Sequence, residues 1–255
     1  MKTWAVAANT FREAIRDKVL YNLVFFALLL MAVSVVIGKM TLGERVKIIL
    51  DLSLAAMSVF GLLIAIFVGI GLVHKEIQRR TIYMLLAKPV SRRTFVIGKY
   101  LGLLAVIALN VAIMTAVLLA LTAVFSETGA AWGVLVAVLL ILVELMIVTG
   151  VAVLFSTFST PTLSAMLTLG VWLIGRFSSD LVLFASRSEN LAVRWLVTGA
   201  HYLLPNLEKF DIKNLVVYDM PIEPAFVGVS LLYGLLYLLF LIGLSVMIFE
   251  RRDFK

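Results

Sequence analysis

Residues 74–99 read HKEIQRRTIYMLLAKPVSRRTFVIGK and lie between two long apolar runs. The stretch carries seven Lys/Arg and one acid. A basic cluster between apolar segments stays on the cytoplasmic side of a membrane, because such loops resist translocation. We therefore predict a membrane protein in which this loop faces the cytoplasm.

The first half of this stretch has the pattern of a short amphipathic helix. Its apolar face consists of Ile77, Thr81, Met84 and Leu85. The basic residues lie on other faces, and Pro89 ends the helix. Two interpretations follow from the pattern: a helix that docks onto a soluble partner, or a solvated loop that only sets topology.

Composition places the chain among membrane proteins. Hydrophobic residues make up 63% of its 255 residues, whereas soluble domains contain about 45–50%. The net charge of +7 does not indicate nucleic-acid binding, because the cations flank apolar runs, where they meet anionic lipid head groups. The absence of cysteine excludes a disulfide framework and a thiolate metal site.

Six apolar runs are candidates for membrane spans, which need about 20 residues each. They cover 19–37, 48–73, 95–125, 132–155, 163–177 and 225–249. An even number of spans places both termini on one side. With the termini inside, the inner segments hold 14 of the 22 Lys/Arg, so we predict cytoplasmic termini.

Two segments outside these spans have patterns of their own. Residues 1–18 contain an apolar stripe at helical spacing, formed by Trp4, Ala8, Phe11 and Ile15. This pattern predicts an amphipathic helix with its stripe in the cytoplasmic lipid interface. Residues 178–224 alternate apolar patches with charges and are too few for a separate core. We predict short helices there, at the outer mouth of the bundle.

Two polar residues lie deep in predicted spans, Asn110 in the third and Glu144 in the fourth. They have similar depth if these spans form a hairpin with a turn near residue 128. An ionised carboxyl at mid-membrane is costly and faces a partner or a cavity. Glu144 is therefore part of a substrate or proton path, or it makes an interhelical hydrogen bond.

Two weaker features concern packing. Gly61, Ala65 and Gly69 form a ladder of small residues on the second span, which permits close helix approach and predicts a dimer seam. Arg176 and Asp180 are four residues apart near the outer end of the fifth span, a spacing that predicts a local ion pair.

The basic loop resembles the signature loop of the ABC-2-type exporter permeases, most closely the subgroup that includes the NosY permease. In that family an acidic residue at the end of span two precedes three short motifs: Thr-Ile/Leu, Leu-Leu-x-Lys-Pro-hydrophobic-Ser-Arg and Gly-Lys. Here these are Glu76, Thr81-Ile82, residues 85–92 and Gly98-Lys99. Weaker similarities lie at 156–161, 202–206 and 249–253. Many relatives have Gly where this chain has Arg80.

The resemblance implies a transmembrane subunit of a type V ABC exporter, with an interfacial helix, six spans and a coupling helix that docks into an ATP-binding subunit. The implied coupling residues are Glu76, Ile77, Arg79, Arg80, Thr81, Met84 and Leu85. Two permease subunits, expected to be identical, would pair around the pathway in the bacterial inner membrane. Two ATP-binding subunits would bind below them.

The absence of a phosphate-binding motif agrees with ATP hydrolysis on a separate subunit. The sequence contains no G-x-x-x-x-G-K-[ST], so the chain has no phosphate cradle of its own. We expect ATP and Mg²⁺ on the partner subunit, and no cofactor, metal or catalytic residue on this chain. The alternatives are an ion-driven transporter using Glu144 and a membrane hydrolase with a nucleophile within 156–160. The family motif does not include Glu144, which favours the interhelical hydrogen bond.

Overall fold

The computed structural model describes residues 2–41, 44–78, 91–125, 131–187 and 190–251, and no strand occurs among them. These residues form ten α-helices and a 3₁₀ turn, Leu207–Phe210. The helices are α1 (Lys2–Ile15), α2 (Lys18–Met40), α3 (Arg45–Gln78), α4 (Arg92–Phe125), α5 (Ala131–Ser156), α6 (Pro161–Arg176), α7 (Ser178–Ser186), α8 (Leu191–Leu203), α9 (Lys213–Val217) and α10 (Pro224–Arg251). The prediction of an all-α membrane protein is confirmed.

Five of the described helices are long and apolar enough to cross a bilayer, namely α2, α3, α4, α5 and α10. The predicted span at 163–177 corresponds to α6, which has 16 residues. Such a helix is about 24 Å long and does not cross a hydrocarbon core of about 30 Å. It bends by 69° into α7, and the pair is either a broken sixth span or a re-entrant loop, so the described residues contain five or six candidate spans.

Local sequence determines where these helices begin. Asp17 separates α1 from α2, because its side chain accepts a hydrogen bond from the Val19 amide at 3.0 Å. Asn190 caps α8 in the same way. Pro161 and Pro224 are the first residues of α6 and α10, a position where proline costs no hydrogen bond and its fixed φ suits a helix.

The centre of the bundle is α5, which is apolar on all sides. Within the 18-residue apolar stretch that could cross a membrane, 78% of α5 is buried, against 22% for α2 and for α10. Helices α3, α4, α6 and α10 pack around it. A helix that is hydrophobic all round is stable only when it is surrounded by other helices or by lipid, so the burial of α5 follows from its composition.

The bundle has two distinct ends. At the terminal end, α1 packs on the start of α4, and the last turn of α10 contacts the same turn of α4. At the far end, α9 packs on the start of α3 and of α5. The end of α3 and the start of α4 therefore lie at the terminal end, and residues 178–187 and 190–223 lie at the far end.

The small-residue ladder of α3 has its partner within the same chain. A Cβ on Gly61 would lie 2.5 Å from Leu145 Cδ1, and one on Gly69 would lie 3.1 Å from Ala152 Cβ. Ala65, between them, is fully buried. The ladder thus allows α3 to approach α5, and the prediction of a dimer seam at this position is wrong.

Candidate coupling face and buried charge network

The predicted coupling residues lie mostly outside the described part of the chain. Glu76 and Ile77 belong to the last turn of α3. Arg79, Arg80, Thr81, Met84 and Leu85 lie outside the described residues. The docking helix therefore stays a prediction, and the structure describes the helices on either side of it, α3 and α4.

Helix α4 begins directly after the loop, and Ser91 caps it. Ser91 Oγ accepts a hydrogen bond from the Thr94 amide at 3.2 Å and lies 2.7 Å from Thr94 Oγ1. A serine at this position satisfies an amide that has no partner within the helix. The Pro89-Val90-Ser91-Arg92 segment of the signature thus includes the residue that starts α4.

The end of α10 is joined to this first turn of α4. Arg93 Nε lies 2.6 Å from Glu250 Oε1, and Arg92 Nη1 donates to the Glu250 carbonyl at 2.9 Å. The rings of Phe95 and Phe249 stack with centroids 5.8 Å apart. Two motifs that are separated by more than 150 residues in sequence, at 85–99 and 249–253, therefore meet at one junction.

On its other side, the start of α4 is in direct contact with α1. A Cβ on Gly98 would lie 2.7 Å from Val6 Cβ, and one on Gly102 would lie 2.6 Å from the Ala7 carbonyl oxygen. Only glycine permits so close an approach of the two helices. The glycine of the Gly98-Lys99 motif thus has a packing role that the sequence did not indicate.

Lys99 lies in the same contact. Its side chain is 2% exposed, and its Nζ is 3.9 Å from Glu13 Oε2 and 5.9 Å from the centre of the Phe95 ring. The next residue, Tyr100, donates a hydrogen bond to the Met146 carbonyl of α5 at 2.9 Å. Through these residues α4 is bound to both α1 and α5.

The stripe predicted for α1 is divided between two environments. Trp4 is 77% exposed, as expected for a residue in lipid. Ala8, Phe11 and Ile15 are half-buried, and the neighbouring face, with Ala7, Thr10 and Ala14, is buried. The helix is therefore packed onto the bundle along its small residues, a side that the apolar stripe does not reveal.

A second group of polar side chains lies deeper in the bundle, around Glu144. This carboxyl is 2% exposed. Trp172 Nε1 donates to its Oε1 at 3.0 Å, and Arg176 Nη1 lies 3.6 Å from its Oε2. The contacts join α5 to α6 and give the buried carboxylate a cation and a donor, as burial of a charge requires.

Arg176 is shared with the far-end segment. Its Nη2 contacts Asp211 Oδ2, whose other oxygen lies 3.9 Å from Lys213 Nζ. Burial lowers the pKa of Lys213 below its usual 10.5, although Asp211, the largest of the opposing influences, raises it. The predicted local pair of Arg176 with Asp180 is replaced by these longer-range partners.

Asn110 does not belong to this network. Its Nδ2 donates to the Val106 carbonyl of its own helix at 2.7 Å. The residues proposed for a hydrolase are engaged similarly, since the hydroxyls of Ser156 and Thr157 donate to carbonyls of the preceding turn. Such bonds satisfy a buried hydroxyl locally and do not indicate a nucleophile.

The fold is that of a polytopic, all-α membrane protein. At its terminal end, α1 and the end of α10 meet the start of α4. The family model of the ABC-2 family transporter proteins matches residues 4–254. The chain therefore belongs to the ABC-2 transporter family, which indicates the permease component of an ABC transporter. No individual curated protein matches the chain.

Proposed function

We propose that the chain is the permease subunit of an ATP-driven exporter, and that it receives force from ATP-binding subunits through residues 76–86. The observation that carries this proposal is the junction at the terminal end. The helix that leaves the basic loop, α4, is bound there to α1, α5 and α10. A displacement of the loop would reach α4 and, through its contacts, α1, α5 and α10.

The remaining features of the proposal follow from the charge distribution and the family. The loop and both termini face the cytoplasm of a bacterium, and the chain spans its inner membrane. Two copies pair with two ATP-binding subunits, which hold ATP and Mg²⁺. Arg79 and Arg80 supply the cationic contacts, and Met84 and Leu85 supply the apolar contacts of the docking helix.

The first experiment is purification of the tagged chain from its native membrane in mild detergent, with identification of its partners by mass spectrometry. We expect a stoichiometric subunit with a phosphate-binding loop and vanadate-sensitive ATP hydrolysis. A chain that purifies without any nucleotide-binding partner overturns the proposal.

Charge reversal tests the docking residues directly. Arg79→Glu with Arg80→Glu should abolish binding of the ATP-binding subunit, or uncouple hydrolysis from transport, because the partner surface would meet like charge. The control is Arg187→Glu with Arg194→Glu, the same charge change on exposed residues of the far end. Equal assembly and equal coupling in both double variants would show that the loop does not dock.

An ion-driven transporter that uses Glu144 is the alternative function. The contacts of Glu144 with Trp172 and Arg176 support a structural role, because they join α5 to α6 and give the buried carboxyl a hydrogen-bond donor and a cation. Glu144→Gln keeps a neutral hydrogen-bond acceptor for Trp172 and removes titration. We expect transport to persist in this variant; loss of transport with intact assembly would favour the ion-driven function.

A further inference from the structure

Residues 205–218, which we call the cap, are inserted into the far end of the bundle. Leu207 and Phe210 are fully buried, and Ile212, Val216 and Val217 are nearly so. The Pro205 carbonyl oxygen lies against Gly175 of α6, where a Cβ would have no room. The cap also reaches deep, since it contacts Arg176, which contacts Glu144, 13 residues from the start of α5.

The two sides of the cap are held by different chemistry. On the α10 side the contacts centre on Tyr233 and are not ion pairs: the Asn206 amide donates to Tyr233 Oη at 2.9 Å, the ring of Phe210 lies 6.2 Å from that of Tyr233, and Lys209 Nζ lies 4.6 Å from the centre of the Tyr233 ring. On the α6 side the contact is ionic, between Arg176 and Asp211. The cap also contacts α7 through Glu208, which accepts from the exposed Ser179 amide, a bond that water can replace.

The ionic side consists of two pairs that are each neutral. Glu144 and Arg176 lie on the spans, whereas Asp211 and Lys213 lie on the cap. Separation of the cap from α6 would leave Arg176 with Glu144 and Asp211 with Lys213. Removal of one partner from a simple buried pair isolates a charge at a high cost. This arrangement avoids that cost.

We propose that the cap is a hinged closure of the far end, which opens by separating from α5 and α6 at the Arg176–Asp211 contact. Its α10 side acts as the hinge. The role of this opening in transport rests on the proposed function, whereas the separability of the cap does not. A fixed structural insert is the competing interpretation, and it predicts that the ionic contact affects stability without affecting access to the buried side of the cap.

The chain contains no cysteine, so a single introduced thiol reports the separation without background. Val216 is 6% exposed and lies against Gly133 at the start of α5. In Val216→Cys we measure the rate of labelling by a membrane-impermeant maleimide. Tyr218→Cys, at a 60% exposed position, should label quickly in every background and serves as the reference.

Loss of the ionic contact should accelerate labelling. We expect Asp211→Asn to increase the rate at Val216→Cys by about tenfold or more, since a charged hydrogen bond across the closure is lost. Glu223→Gln, on an exposed acid outside the network, should leave the rate unchanged. Asp211→Asn with Lys213→Gln removes the Asp211–Lys213 pair, leaves no lone cation in its place, and should match Asp211→Asn. Labelling within twofold of the parent in both cap variants overturns the proposal.

The same reporter tests the transport role in the complex with the ATP-binding subunit. We expect ATP turnover to raise the labelling rate at Val216→Cys, with no change at Tyr218→Cys. Unchanged labelling during measured ATP hydrolysis overturns the role of the cap in the cycle. If no ATP-binding subunit is recovered at all, the proposed function fails, and the comparison with Asp211→Asn in the chain alone still decides whether the cap separates.

Discussion

The close contact of α1 with α4 gives a prediction with a magnitude that follows from the structure. In Gly102→Ala, the new Cβ would lie 2.6 Å from the Ala7 carbonyl oxygen and 2.6 Å from Thr10 Cβ. Both atoms belong to a helix backbone or adjoin it, so no side-chain rotation relieves the overlap. Helix α1 must retreat by roughly 0.5–1 Å, a gap that forfeits about a quarter to a half of each lost contact.

The expected cost is about 1–3 kcal/mol of unfolding free energy, the usual range for an overpacked site. Gly228→Ala is the matched control, because nothing lies within 4 Å of its Cβ position on α10. There the exchange removes backbone freedom from the unfolded chain and should stabilise by about 0.5–1 kcal/mol. The two variants carry the same chemical change and should differ in sign.

Thermal unfolding in detergent, followed by tryptophan fluorescence, measures the difference. We expect the midpoint of Gly102→Ala to fall by several degrees and that of Gly228→Ala to rise slightly. Coupling of ATP hydrolysis to transport should also weaken in Gly102→Ala if α1 transmits force from the loop. Stabilisation in both variants would falsify the packing of α1 on α4 at this position.

Three further predictions concern single residues. Tyr100→Phe should lower the unfolding free energy by about 0.5–1.5 kcal/mol through loss of the bond to Met146, measured by thermal unfolding; an unchanged midpoint argues against that bond. Asp219, at the end of α9, has a φ of 51°, in the left-handed region. Asp219→Gly should therefore leave the unfolding midpoint unchanged or raise it slightly, whereas Asp219→Val should lower it. The reverse order would be inconsistent with the left-handed conformation. Burial lowers the folded-state pKa of Lys213, so between that pKa and 10.5 the unfolded state binds more protons than the folded state, and the stability contributed by Lys213 rises with pH. The thermal unfolding midpoint of the wild type relative to that of Lys213→Met should therefore increase between pH 7 and 10. A decrease would contradict the burial of Lys213.

The membrane spans were predictable because length and apolar composition alone define them. Each of the six apolar runs lies in a helix, and the uniformly apolar α5 occupies the centre. The bend between α6 and α7 was less accessible to prediction. This 69° bend lies at Phe177, where no proline marks a break and where Gly175, two residues earlier, lies within the apolar run that was interpreted as one span.

The partners of the buried charges could not be predicted from sequence. Glu144 was recognised as a residue that needs a partner, but Arg176 and Asp211 lie 32 and 67 residues further along. Their meeting depends on how α5 and α6 are rotated about their axes. A helix that is apolar all round, such as α5, carries no amphipathic pattern that fixes this rotation. The contact of Gly98 and Gly102 with α1 was hidden for the same reason, since a glycine has no side chain to signal a packed face.

The two polar assemblies of the bundle are connected through the helices α4 and α5. Lys99 of the terminal junction is followed by Tyr100, which is bonded to Met146, two residues from Glu144. From there the route continues through Arg176 to Asp211 of the cap. Contiguity alone does not couple two sites, because coupling needs an element with two discrete arrangements. The Arg176–Asp211 contact is suited to be that element, since each of the two residues has a second partner of opposite charge, Glu144 for Arg176 and Lys213 for Asp211.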